Sequence, residues 1–314
     1  MSDSNLDALL FAYQRYMAAE GKSRRTIEST LACVRGFAAY LGEPLAVDSV
    51  TASQLREYIL HLQSRPKWVS HPTISADKGS LSPFTIATHV RTIKAFWSWL
   101  EREEFVDSNP LSHVPTPKTP ICEVRTLSPE ECRALVAAIP TKGFVGMRDR
   151  ALVLALMGMG ARITEVTSLK IPDVDFETGQ IRVLGKGQKE RRLFMSPNVF
   201  KAMHKYWLKE RQPVEGEYFF THKNGRPLDR WYVNHQFHKY SKQAGLRDRS
   251  VSPHKLRHTY ATEFLRDGGD VFTLQKVLGH STLDMSRHYA QIANDDVERS
   301  MRAHSPVERL KLKV

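Results

Sequence analysis

The stretch "SHVPTPKTPICEVRTLSPEEC" (112–132) divides the chain. Pro115, Pro117 and Pro120 each lack an amide proton and lock φ, so no regular helix runs through them and an extended connector is favoured. Order restarts at "LSPEEC". Ser128 is placed to cap a helix, Pro129 sits at the first helical position, and Glu131 completes a capping box. The spacing predicts one domain over 1–111, a proline-rich linker over 112–125, and a second ordered region beyond it.

On the amino-terminal side, apolar residues recur at helical spacing. Leu6, Leu9, Leu10, Tyr13, Tyr16 and Met17 mark a helix over 5–20 that stops at Gly21. Ile27, Leu31, Val34, Phe37 and Leu41 mark another over 23–41 that stops at Gly42. Thr51 and Gln54 form a capping box for a helix over 52–63. After a polar stretch, Ser82-Pro83 opens a helix whose one face carries Ile86, Val90, Ile93, Phe96, Trp97 and Leu100. The pattern predicts a compact bundle of four or more helices.

On the other side, helical patterns surround a small island of strand. In "GQIRVLGKGQKERRLFMS" (179–196), Ile181 and Val183 alternate before a Gly-Lys-Gly turn, and Leu193 lies on the returning arm. That is a β-hairpin. "EYFFTHKNGRPL" (217–228) predicts a short strand and a turn at Asn224-Gly225. The fold class is therefore mainly α with a small β-sheet, an α+β protein of two domains.

Bulk composition bounds the function. The 314 residues are 41% hydrophobic and 25% charged, as in ordinary globular proteins, but Lys and Arg number 46 against 34 Asp and Glu, a net charge of +12. That excess favours a polyanionic partner, most often nucleic acid. Cys33, Cys122 and Cys132 are odd in number and widely spaced, which argues against a disulfide framework or a cysteine zinc site and fits a reducing cytosol. The acidic start "MSDSNLDALL" is no signal peptide. The most apolar run, "ALVLALMGMGA" (151–161), falls short of the roughly 20 residues of a membrane span.

Four segments carry candidate chemistry: "GMGARITEVTSL" (158–169), "LGKGQKERR" (184–192), "SPHKLRHTYATEF" (252–264) and "VLGHSTLDMSRHYAQ" (277–291). Taken singly, each has a bland explanation. Arg162 has Glu165 within helical reach, Gly-Lys-Gly is a common turn, and a Tyr on an amphipathic helix is usually core. His254 and His258, four apart, have the spacing of a helical metal pair. No third acidic or cysteine ligand lies nearby, however, and neighbouring arginines would repel a cation.

Taken together, A-R-I-T-E, G-K-G-x-K-x-R, H-K-L-R-H-T, L-G-H and a following Tyr, in that order, closely resemble the tyrosine recombinase (phage integrase) family, over roughly 126–295. The helical first domain resembles that family's core-binding, SAM-like domain, which leaves 126–295 as the catalytic domain and 296–314 as a tail. The resemblance implies that a tyrosine hydroxyl cuts a DNA strand, leaving a 3′-phosphotyrosyl link and a free 5′-hydroxyl. By motif match the nucleophile is Tyr289. Arg162 and Arg257 grip the phosphate, His280 adds a donor to it, His254 accepts or shares the tyrosine proton, and Lys186 protonates the leaving oxygen. A phenol with a pKa near 10 needs such help at neutral pH, and guanidinium forks suit growing charge on phosphate oxygens. Glu165 resembles the family's acidic residue behind the cations, or is a plain helix-face carboxylate. His258 is expected behind the site and Thr259 is structural. "GAR" stands where "GLR" is usual, and "SRHYAQ" departs from the commoner tyrosine segment, yet no reactive group is lost. No cofactor is implied and no metal, because the phosphotyrosine retains the bond energy.

The expected partner is double-stranded DNA with inverted half-sites. Lys22, Arg24, Arg25, Arg91 and Lys94 in the first domain and Lys189, Arg191, Lys223 and Arg226 in the second are the candidate contacts, each also explicable as a solvated face. The family resemblance further implies a homo-oligomer, a dimer per site and a tetramer in synapsis. The tail "NDDVERSMRAHSPVERLKLKV" (294–314) carries Val297, Met301, Val307, Leu310 and Leu312 and is expected to pack on a neighbouring protomer, the alternative being a tail that docks on its own subunit or stays mobile. A cytoplasmic, nucleoid-associated protein is expected. Two other functions fit the same residues: a non-catalytic architectural DNA-binding protein, and a type IB topoisomerase-like relaxing enzyme.

Overall fold

The computed structural model describes residues 6–42, 45–66, 80–120, 125–185, 190–246 and 251–279. The chain divides into two compact units, Met1–Cys122 and Glu123–Val314.

The first unit is built from helices α1 (Leu6–Ala19), α2 (Arg24–Leu41), α3 (Ala52–Ser64) and α4 (Pro83–Arg102). Each start after the first is set locally. The Ser23 side chain accepts from the Thr26 amide, Thr51 and Gln54 close a reciprocal capping box, and Ser82 accepts from the Thr85 amide with Pro83 following it. The apolar faces read from the sequence meet in one core, in which Val34, Phe37, Leu55, Val90, Ile93, Phe96, Trp97 and Leu100 are fully buried. The Trp97 indole N–H donates to the Val47 carbonyl at 3.2 Å, so its polar edge is satisfied. Truncating Trp97 to Ala would cost about 3–5 kcal/mol in cavity and lost burial.

The connector begins later than its sequence suggests. Leu111 and Val114 are buried in the first core, and the Lys94 ammonium donates to the Val114 carbonyl at 2.6 Å. Asn109 fastens the same turn, accepting from the Leu111 amide and donating to the Ser98 hydroxyl. Residues 115–120, beyond these anchors, carry no turn, helix or strand. Packing of two apolar side chains overrides the linker-like composition of 112–114.

The second unit comprises α5 (Pro129–Ala137), α6 (Phe144–Met159), α7 (Ile163–Thr167), α8 (Pro197–Tyr206), α9 (Arg230–Gln243), α10 (Pro253–Arg266) and α11 (Val271–Leu278). The Ser128–Glu131 capping box is present at the start of α5. Helix α6 is apolar on nearly all sides and forms the centre of the core, which suits a helix wrapped by α5, α8 and α10. Among the described residues no helix is long and apolar enough to cross a membrane.

Strands β1 (Val174–Asp175), β2 (Gln180–Leu184) and β3 (Glu190–Phe194) form an antiparallel sheet in the order β1-β2-β3. The register pairs Ile181 with Leu193, Arg182 with Arg192, and Val183 with Arg191. Side chains alternate across a strand, so Ile181, Val183 and Leu193 line the buried face together with Arg191.

The strand expected within 217–228 is reduced to isolated bridges, Lys170 to Tyr218 and Thr221 to Pro227. Two features oppose a ladder there. Phe219 and Phe220 are both fully buried, which breaks alternation, and the buried Arg211 guanidinium takes the carbonyls of Val214, Gly216 and Tyr218. The expected turn is present: Gly225 has φ +77°, and the His222 amide donates to the Arg226 carbonyl at 2.8 Å.

Helix α9 is tied to α6 by a buried polar network. The Arg148 guanidinium donates to Asp149, to the Thr221 carbonyl and to the Tyr232 hydroxyl, while the Tyr240 hydroxyl donates to Asp149 at 2.8 Å. Every charge there has a partner, as burial demands.

Candidate active site

Two helix ends organise the site. Helix α6 stops at Gly160, whose φ of +60° is left-handed, and a Cβ there would stand 2.4 Å from Tyr260 Cδ1. Helix α11 stops at Gly279, also left-handed at φ +63°. Each glycine turns the chain sharply and leaves terminal carbonyls without intrahelical partners, at the negative end of the helix dipole. Guanidinium groups occupy those carbonyls.

Arg257, on α10 and only 6% exposed, donates to the Gly160 carbonyl at 2.8 Å and to the Leu278 carbonyl at 2.6 Å. Arg162 stands between α6 and α7 and donates to the Gly279 carbonyl at 3.2 Å. Arg191, from β3, donates through Nε to the Val277 carbonyl at 2.9 Å. Consecutive carbonyls at the end of α11, those of Val277, Leu278 and Gly279, thus each hold a different arginine.

Glu165 is the shared counter-charge. Its carboxylate accepts from the Arg162 amide (2.7 Å), Arg162 Nη1 (2.8 Å), Arg191 Nη1 (2.9 Å) and Arg191 Nη2 (2.8 Å). The residue is 4% exposed. Burial is the largest influence and would raise its pKa, but the hydrogen bonds from Arg191 and from the Arg162 backbone and side chain together outweigh it, and the carboxyl is held below its ordinary range. Of the two alternatives raised for Glu165, the structure places it behind the arginines and not on an open helix face.

His254 lies one turn before Arg257 on α10 and is exposed. Its pKa is lowered, first by partial desolvation and then by the charges of Arg230, Arg257 and Arg162, which favours the neutral ring. His258 is half-buried one turn further along, and the Thr259 hydroxyl accepts from the Leu127 amide at 3.0 Å. Among the described residues no group of three or more His, Cys, Asp or Glu is placed to hold a metal.

The four guanidinium groups of Arg162, Arg191, Arg230 and Arg257 against one buried carboxylate leave the site cationic. Arg162 is the most open of the three on α11, its side chain 27% exposed against 14% for Arg191. An anion with several acceptor oxygens, such as a phosphodiester, suits such a surface.

Not every expected residue can be placed. Lys186, Lys189, His280 and Tyr289, and the tail 296–314, lie outside the described residues. The described chain does reach their borders: β2 ends shortly before Lys186, β3 begins directly after Lys189, and Gly279 directly precedes His280. Of the proposed DNA contacts, Lys22, Arg24, Arg25, Arg91, Lys223 and Arg226 are exposed. Arg24 pairs with Glu28 at 2.8 Å and Lys22 with Glu20 at 3.5 Å, both solvated pairs. The Arg91 Nε donates to the Ala87 carbonyl one turn back. Two of the set point elsewhere. Lys94 is turned to the Val114 carbonyl, and Arg191 is turned inward to Glu165 and Val277.

Sequence reasoning missed the place of Arg191 although a signal existed. Leu193 is the apolar residue of the returning arm, and parity puts Arg191 on the same face as it. Arg230, which acts on His254, had no signal beyond its charge.

Comparison with known proteins agrees with this geometry. The profile of the phage integrase family matches residues 125–295. The tyrosine recombinase XerC of Pelotomaculum thermopropionicum is 30% identical over 281 residues, 86% of this chain and 87% of its own length. XerC of Myxococcus xanthus is 29% identical over 94% of this chain and 96% of its own. Among solved structures, XerA recombinase is 27% identical and superposes with a TM-score of 0.52, covering 96% of this chain and 99% of its own. The Tn1549 transposon integrase in complex with transposon right end DNA has a TM-score of 0.74 over 95% of this chain and 99% of its own; at 20% identity this shows a common fold. With more than half of its residues inside the family profile and a 30%-identical relative running through most of its length, this chain belongs to the phage integrase family, the tyrosine recombinases.

Proposed function

We propose that the protein is a site-specific DNA recombinase that cuts and rejoins strands through a 3′-phosphotyrosyl intermediate. The observation that carries this is the convergence of Arg162 and Arg257 on the end of α11, immediately before His280, with His254 one turn from Arg257 on α10. The Tyr289 oxygen attacks the scissile phosphorus, and its proton passes to His254. The bond to the 5′-oxygen breaks, and Lys186 supplies the proton that this leaving oxygen needs. Arg162, Arg257 and His280 stabilise the charge that grows on the non-bridging oxygens. Glu165 holds Arg162 in place, and His258, half-buried on α10 one turn beyond His254, supports that helix from behind the site. The reverse sequence, with a different 5′-hydroxyl attacking, reseals the strand. The ester to Tyr289 conserves the bond energy, so the reaction needs neither a nucleotide nor a metal.

The basic residues Lys22, Arg24, Arg25 and Arg91 on the first unit and Lys189, Lys223 and Arg226 on the second contact phosphates of double-stranded DNA, and the function is exercised in the cytoplasm on the nucleoid. Two protomers bind inverted half-sites and two such pairs form the synapse, with residues 296–314 packing on a neighbour.

A covalent-trapping assay tests the chemistry. The protein is incubated with a nicked duplex library that lets the cleaved fragment diffuse away, and adducts are resolved on a denaturing gel and sequenced. An adduct that vanishes in Tyr289→Phe, with DNA binding retained, is expected. DNA binding with no adduct at any salt concentration would favour an architectural protein, and site-independent relaxation of supercoils by a monomer would favour a topoisomerase.

A further inference from the structure

Arg191 sits on the hairpin that carries Lys186, and charge alone places it among the DNA contacts. Its surroundings assign it another task. The β2–β3 register sets it opposite Val183 on the buried face of the sheet, and its side chain is 14% exposed. Both terminal nitrogens grip Glu165, one oxygen each, at 2.9 and 2.8 Å, and Nε grips the Val277 carbonyl at 2.9 Å. Three of the five N–H groups of the guanidinium are thereby committed inward. Room for it is provided by Gly279, where a Cβ would come within 3.0 Å of Arg191 Nη1.

We infer that Arg191 is a positioning residue that ties the Lys186 hairpin to the end of α11 and neutralises Glu165, so that Arg162 keeps its charge for the phosphate. Two guanidinium groups share one carboxylate. With Arg191 present, the trio Arg162–Glu165–Arg191 carries a net positive charge. Without it, Arg162 becomes the sole partner of a buried carboxylate and is drawn into a neutral pair, away from the DNA. The last turn of α11 also loses one of its arginine clasps, directly before His280. Lysine is a poor substitute, because one ammonium cannot span two carboxylate oxygens and a carbonyl together.

This inference rests on the recombinase function proposed above, and the experiment separates the two. Single-turnover cleavage of the trapped substrate is measured at saturating DNA for the full-length wild type, Arg191→Gln, Arg191→Lys and Arg182→Gln, the last an exposed arginine of the same hairpin paired with Asp173. DNA affinity is measured in parallel as a function of salt. The expected result is a roughly 100-fold slower cleavage step in Arg191→Gln, the scale at which misplaced catalytic groups act. Its salt slope should match that of the wild type, and Arg191→Lys should recover only a minor part of the rate. Arg182→Gln controls for loss of one hairpin charge. A salt slope lowered by about one with the rate at saturation unchanged would mark Arg191 as a phosphate contact and overturn the inference. Wild-type rate in Arg191→Lys, or equal losses of rate in Arg191→Gln and Arg182→Gln, would also overturn it. Should Arg191→Gln fail to fold, Arg191→Lys alone decides. If the wild type forms no adduct, the recombinase function itself fails, whatever Arg191 does.

Discussion

Replacing Glu165 by Gln tests the charged centre of the second unit. The carboxylate accepts four hydrogen bonds, from the Arg162 amide, Arg162 Nη1 and both Arg191 terminal nitrogens. Glutamine keeps one acceptor oxygen and turns an NH2 group toward donors. At least one donor on each side is orphaned, and two guanidinium groups lose their counter-charge in a site where Glu165 is 4% exposed. Breaking a buried ion pair by removing one partner costs about 3–5 kcal/mol. Arg162 is partly open to water, so we expect the lower end, about 3 kcal/mol. Calorimetry of the full chain should show the second unit's transition falling while the first unit's stays put. The acid limb provides a second readout. The folded pKa of Glu165 lies below its ordinary value, so its stabilisation is complete above the unfolded carboxylate pKa and is lost as pH falls through the lower folded value. In Glu165→Gln that part of the acid destabilisation should be missing. A variant within about 0.5 kcal/mol of wild type, the range of an inert surface change, would refute the reasoning.

Three further outcomes are expected. Arg230→Gln removes the largest charge that lowers the His254 pKa, so the acid limb of single-turnover cleavage, where His254 must be neutral, should move to higher pH; an unmoved limb would separate His254 from proton transfer. Gly160→Ala places a Cβ 2.4 Å from Tyr260 Cδ1 at a φ of +60°, and should cost about 1–3 kcal/mol in thermal unfolding and slow cleavage by shifting the carbonyl that holds Arg257. Lys94→Met should destabilise the first unit by about 1 kcal/mol, the worth of its bond to the Val114 carbonyl, and leave the salt slope of DNA binding unchanged; a slope reduced by about one would return Lys94 to the DNA surface.

Much of the fold was legible because its signals are local. Ser23, Thr51, Ser82-Pro83 and Ser128-Pro129 cap helices within three residues of themselves, and the apolar periodicity between caps needs no tertiary knowledge. The exceptions are instructive. Residues 112–114 look like linker, yet Val114 is held in the first core. Residues 217–221 look like strand, yet Arg211 takes the carbonyls that a ladder would use. In both cases a contact made elsewhere outweighed composition.

The same division runs through the site. The sequence by itself determined the two-part organisation, the hairpin and its parity, and the i, i+3 placing of His254 and Arg257 on one helix face. Those follow from the periods of 3.6 and 2 residues. Only the tertiary structure decided what the arginines hold. Arg162 reaches Gly279 across 117 residues, Arg257 reaches Gly160 across 97, and Arg191 reaches Val277 across 86. The acceptors are backbone carbonyls, which every residue possesses, so no residue type marks them. They become distinctive only where a helix ends, its carbonyls lose their intrahelical donors, and folding carries a guanidinium to that place.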